Sequence, residues 1–123
     1  MSTHSKHSLT YLKFLSIVEA LRDMPSFPLL EPIEERLLNA FAAAWHKGKQ
    51  LTVLEAMQIT PTVSSATVHR RLKSLHSKGF IEYATDSTDS RIKYLVPTQM
   101  AKDYFTKHGE ALTKALSEKL PKA

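Results

Sequence analysis

Ser64, Ser65, Thr67, Arg70, Arg71, Lys73 and Ser74 crowd hydroxyl, guanidinium and ammonium donors into a short run that contains no carboxylate. Such donors pair with phosphate oxygens and with the acceptor atoms of base edges. His69 and His76 interrupt the run. On one helix they lie about 10 Å apart along the axis, too far to share a metal ion. A basic run can also be a plain solvated face, although solvated helix faces more often mix signs to gain i,i+4 pairs. The segments on either side have to decide between these readings.

The run itself reads as a helix. Val68, Leu72 and Leu75 recur at i, i+4 and i+7 and make one apolar stripe, with Thr67, Arg70, Lys73, Ser74 and Ser77 toward the opposite side. Ser64 is placed to cap the first turn with its hydroxyl, and Gly79 can take the left-handed conformation that ends a helix. The helix is therefore predicted over about Ser65 to Lys78. Upstream, Thr52 and Glu55 form a T-x-x-E capping box for a short helix whose Val53, Leu54 and Met57 face inward. Thr60, Pro61 and Thr62 then force a turn, because proline removes a backbone donor and pushes its predecessor out of helical space. Helix, turn and basic helix in this compass have the size of a helix-turn-helix. Downstream, Phe80 to Thr85 and Arg91 to Val96 alternate aromatic and β-branched residues and read as two paired strands. The intervening Asp86 to Ser90, DSTDS, has no apolar residue and favours side-chain-to-backbone turn bonds. Arg91 and Lys93 put two cations beside this tip.

Charge is distributed unevenly along the chain. Up to residue 63 acids and bases balance, so the net charge of +5 arises wholly beyond it. That asymmetry is the electrostatic footprint of a polyanion partner. A membrane surface would ask for Trp, Phe or Leu beside the positive face, whereas the outward residues here are Ser, Thr, Arg and Lys.

Asp89, Ser90 and Arg91, followed by a strand and then Thr98, resemble the wing signature of MarR-type transcriptional regulators. SSATVHRRLKSLHSKGFIEY is similar to their recognition helix and its Gly-hydrophobic-Ile exit. The resemblance spans about Leu51 to Ala101. Pro97 stands where that family usually has Leu, and Ala101 where it often has Gly. The resemblance implies that Arg91 contacts the DNA backbone or minor groove and that Asp89 holds the wing in shape.

The remaining sequence supplies supporting helices. Residues 1–8 are read as a disordered polar tail and 9–123 as a single winged-helix domain. Leu9 to Met24 forms an N-terminal helix through Leu12, Leu15, Val18 and Leu21, Ser26 to Pro32 a connector, and Ile33 to Trp45 a second helix ending near Gly48. Thr98 starts a C-terminal helix with Met100, Tyr104, His108, Ala111, Leu112, Ala115 and Leu116 on one stripe, ending before Pro121. That stripe exceeds what a small winged core covers, so the terminal helices, 9–24 and 98–120, are expected to dimerise the chain. The predicted fold is mainly α with a small β-hairpin, a winged helix-turn-helix with added N- and C-terminal helices.

Other chemistries find no footing. The chain has no cysteine, which excludes thiolate redox chemistry and Cys-based zinc sites. Three glycines, Gly48, Gly79 and Gly109, make no phosphate-cradling loop. No nucleophile elbow is visible, and the chain is expected not to be an enzyme and to need no metal or cofactor. Neither a membrane-spanning run nor a signal-peptide core is present, so a cytoplasmic location is expected. The expected function is sequence-specific binding of double-stranded DNA as a homodimeric, bacterial-type transcriptional regulator on a pseudo-palindromic site. Base edges would meet Ser64, Ser65, Thr67 and Arg70; phosphates or the minor groove would meet Arg71, Lys73, Arg91 and Lys93; Ser74 is a further DNA-contact candidate. The alternative is a winged-helix protein-interaction module in a replication, transcription or repair assembly. A sensing repressor with a small-molecule effector is a third reading, for which Tyr11, Phe14, Trp45, Tyr104 and Phe105 are pocket or core candidates.

Overall fold

The computed structural model describes residues 5–23 and 26–117, which run α1 (Lys6–Arg22), α2 (Pro32–His46), β1 (Leu51–Thr52), α3 (Val53–Gln58), α4 (Ser65–Ser77), β2 (Ile81–Thr85), β3 (Lys93–Pro97) and α5 (Gln99–Leu116). The backbone gathers into two compact units. One comprises residues 29–102, the other the two ends of the chain, up to Pro28 and from Asp103.

The unit of residues 29–102 is built around the apolar stripe of α4. Val68, Leu72 and Leu75 are buried there, as are Leu37, Leu38 and Phe41 from α2, Ala56 from α3, and Leu51, Ile81 and Leu95 from the sheet. The sheet is antiparallel with strand order β1-β3-β2. Its third strand was not foreseen: two residues are too short to show alternation. Leu51 nevertheless sits opposite Leu95 with both side chains buried, so β1 ties the start of α3 to the hairpin. β3 begins at Lys93 rather than Arg91, which leaves Arg91 and Ile92 in the wing turn.

Local signals fix the helix ends. Thr52 and Glu55 make the full reciprocal capping box, Glu55 N to Thr52 Oγ1 at 3.1 Å and Thr52 N to Glu55 Oε1 at 3.0 Å. Pro32 occupies the first turn of α2, where its missing N–H costs nothing, and Glu31 with Glu34 forms a second capping box. At the end of α4, Phe80 N–H bonds to Leu75 O and Gly79 N–H to His76 O, each at 3.0 Å, with Gly79 at φ +89°. This is a Schellman stop, which turns the chain sharply from α4 into β2.

In the terminal unit, α1 starts three residues earlier than expected. Ser5 Oγ accepts Ser8 N–H at 3.0 Å, and this cap makes residues 6–8 helical instead of part of a tail. Residues 1–4, Met24, Pro25 and the expected helix end at Leu120 lie outside the described residues. Val18 of α1 and Ala111 and Ala115 of α5 are buried, and Phe27 packs edge-on against Tyr104 at 5.6 Å between ring centroids. Much larger side chains point outward: Leu9, Tyr11 (60% exposed), Leu12 and Leu15 on α1, and Leu112 and Leu116 (64% exposed) on α5.

Candidate nucleic-acid interface

At 100° per residue, the side chains of α4 outside its buried stripe divide into three sectors. Arg70 and Lys73 point away from the core and are exposed, with Ser77 between them in angle. Arg71, Ser74 and Lys78 lie on the flank toward α2. His69 and His76 lie on the flank toward the wing.

The first turn is pre-organised through hydroxyls. Ser64 Oγ accepts Thr67 N–H at 3.2 Å and donates to Thr67 Oγ1 at 2.9 Å; Thr67 Oγ1 in turn accepts from Arg70 Nη2 at 3.3 Å. Ser64, Thr67 and Arg70 are thus linked, and the exposed Ser65 stands beside them. The hydroxyl of Ser64 is already engaged as a cap, so its backbone and Thr67 are the groups it leaves to offer.

Arg71, one of the expected phosphate contacts, pairs with acids inside the protein. Arg71 Nη1 makes a close ion pair with Glu31 and stands 3.9 Å from Glu34 Oε2. Lys78 Nζ bonds to Glu34 Oε1 at 2.5 Å and to Leu29 O at 2.8 Å. Glu34 itself is fully buried. Burial pushes its pKa up, but hydrogen bonds from Lys78, Ser74 and the Glu31 backbone, with the charge of Lys78, outweigh this and hold it below the ordinary value. The helix that looked unbalanced in sequence is therefore balanced by acids at the start of α2. Arg71 and Lys78 are occupied with them.

The wing is organised by two aspartates. Asp86 Oδ2 accepts from Thr88 N and Asp89 N at 3.0 Å each and from Thr88 Oγ1 at 2.7 Å, while Oδ1 accepts from Tyr94 OH at 2.7 Å. These bonds hold the Asp86 carboxyl well below the usual carboxylate range. Asp89 accepts from Arg91 N at 3.0 Å, Nε at 3.0 Å and Nη2 at 2.9 Å. The forked pair gives Arg91 a fixed direction, and its side chain is still 88% exposed. Asp86 went unnoticed in sequence, where only its place in DSTDS could have pointed to it.

Between α4 and the wing runs an open groove of about 440 Å³ lined by Val53, His69, Leu72, Lys73, His76, Ser77, Tyr83 and Lys93. The rings of His76 and Tyr83 pack together in its lining, their centroids 5.0 Å apart. Lys73 from α4 and Lys93 from β3 both line it, which brings two sequence-predicted cations to one groove. The histidines and Tyr83 were not foreseen as part of it, although the seven-residue spacing of His69 and His76 placed both on one flank.

No family model matches this sequence, and no curated protein matches it. Solved structures do. The transcriptional regulator Tm0710 from Thermotoga maritima is similar at 16% identity over 85% of this chain, with a TM-score of 0.57, and the chain spans 65% of its length. Heme-free PefR is similar at 23% identity over 93% of this chain and 91% of its own, with a TM-score of 0.53. The heme sensor protein PefR bound to heme and carbon monoxide gives 22% identity over 85% and 65% of the two chains, with a TM-score of 0.54. What these similarities show is the fold, which this chain shares with Tm0710 and PefR.

Proposed function

We propose that this chain is a DNA-binding transcriptional regulator that reads duplex DNA with α4 and grips the neighbouring backbone with the wing. The observation that carries this reading is the exposed cationic strip: Arg70 and Lys73 on the outer face of α4, Lys93 across the groove, and Arg91 aimed by Asp89 at the wing tip. In this arrangement Ser65, Thr67 and Arg70 meet base edges with the first turn of α4, and Lys73, Lys93 and Arg91 meet phosphates or the minor groove. The imidazoles of His69 and His76 and the Tyr83 phenol line the groove between these cations and add donors to a backbone passing through it.

The regulator acts as a homodimer through α1 and α5. Leu9, Leu12 and Leu15 on α1 and Leu112 and Leu116 on α5 are exposed, and large apolar side chains clustered on a surface mark an association face. A two-fold pair would carry two copies of α4 to half-sites about one helical turn apart, so its site would be a pseudo-palindrome. The described residues contain no helix long and apolar enough to cross a membrane, which suits a protein that works on DNA in the cytoplasm.

Selection of bound duplexes from a random pool tests the reading. A symmetric motif is expected, and Arg70→Ala should cost about 1 to 3 kcal/mol on that motif while leaving random duplex almost unaffected. Failure of the protein to retain any duplex at low salt would refute it and would favour a protein-interaction role for the same fold.

A further inference from the structure

The pairs that α2 makes with α4 raise a question of purpose. Glu31 and Glu34 lie 40 and 44 residues before Arg71 and Lys78, so the contact is purely tertiary. It is also costly, because it takes the Glu34 carboxylate completely out of water. Glu34 Oε2 has no hydrogen-bond partner, nor does the buried Arg71 Nε, so the cluster is not arranged for the best possible pairing. A hydrophobic contact would join the two helices as well. What an apolar contact cannot do is take two cations on the recognition helix out of action.

Resting on the DNA-binding reading above, we infer that Glu31 and Glu34 are specificity-determining positioning residues, which withhold Arg71 and Lys78 from the phosphate backbone. Of the four cations between Arg70 and Lys78, two are thereby spent inside the protein and two, Arg70 and Lys73, remain outward. Phosphate attraction is blind to sequence, and each cation that reaches a phosphate strengthens binding to every duplex alike. A helix presenting all four would bind random DNA more tightly with no gain in discrimination. Lys78 is held at once by Glu34 Oε1 and Leu29 O, while the buried stripe of Val68, Leu72 and Leu75 keeps Arg70 and Lys73 on the outer side.

The salt dependence of binding to a random duplex separates this role from a merely structural one, since the slope of log K against log salt counts phosphate contacts at about 0.9 each. Lys73→Gln should flatten the slope by about 0.9, whereas Arg71→Gln should leave it unchanged. Glu31→Gln with Glu34→Gln should steepen it by about 0.9 or more and raise affinity for random duplex, and adding Arg71→Gln should reverse part of that gain. If the double glutamine variant does not fold, the comparison of Arg71→Gln with Lys73→Gln still decides. An Arg71→Gln slope as shallow as that of Lys73→Gln would overturn the inference, as would a folded double variant with the parent slope. Parent protein with no salt-sensitive binding at all would instead remove the DNA-binding reading on which the inference rests.

Discussion

Replacing Gly79 by alanine tests how α4 is joined to the wing. Gly79 sits at φ +89°, and a Cβ built there would meet Met100 Cε at 3.1 Å. The left-handed backbone alone costs an alanine about 1 to 2 kcal/mol. The methyl contact is with the far end of a flexible side chain, which can move aside, so it adds about 0.5 kcal/mol, the cost of a mild off-rotamer shift. The sum is about 1.5 to 2.5 kcal/mol, which for a unit of this size lowers the melting temperature by about 6 to 20 °C. Gly48 provides the control. Its φ is +82°, yet nothing lies within 4 Å of its Cβ position, so Gly48→Ala should show the backbone part alone. Thermal unfolding followed by circular dichroism measures both. The folded Gly79 variant should keep the parent salt slope on DNA, because no outward cation is moved. A loss below about 0.5 kcal/mol would refute the left-handed stop, and a loss no larger than that of Gly48→Ala would refute the Met100 contact.

Two further outcomes follow from the carboxylates. Asp86→Ala should remove the acceptor of four wing hydrogen bonds, loosening the turn that presents Asp89 and Arg91; thermal stability and DNA affinity should both fall, and unaltered affinity of the folded variant would show that the wing tip is not used. Glu55 is lowered from 4.5 to about 2 by the Thr52 backbone hydrogen bond and by Lys49, so its folded pKa lies below its unfolded one. Its contribution to stability is present above about pH 4.5 and is lost as pH falls toward 2. Denaturant titrations between pH 7 and 2.5 should therefore be less acid-sensitive for Glu55→Gln than for the parent, and equal acid sensitivity would be evidence against the capping box.

What could be read from the sequence was local. The apolar spacing of Val68, Leu72 and Leu75, the Ser64 and Thr52 caps and the Gly79 stop all act within a turn or two, and each element they define is present. Two features outside the reach of local signals share one cause. The strand Leu51–Thr52 exists because Leu95 is opposite it, and Arg71 turns inward because Glu31 and Glu34 come to meet it. Neither partner is close in sequence. Arg71 also lies three residues after the buried Val68, at the border of the apolar stripe, where a tertiary partner decides the direction of a long side chain. The missed Asp86 is a different case. DSTDS contains two aspartates of equal local promise, and Tyr94 across the hairpin makes one of them the wing's main acceptor.

The indole of Trp45 donates from Nε1 to Leu95 O at 3.0 Å, which pins the end of α2 to the central strand of the sheet. Trp45 is also the chain's single tryptophan. Its fluorescence is therefore a built-in optical probe of one junction, and detachment of the hairpin from α2 would register as a red-shifted emission even while the helices persist. Comparing that signal with far-ultraviolet circular dichroism during unfolding would reveal whether the wing peels away before the helix-turn-helix melts.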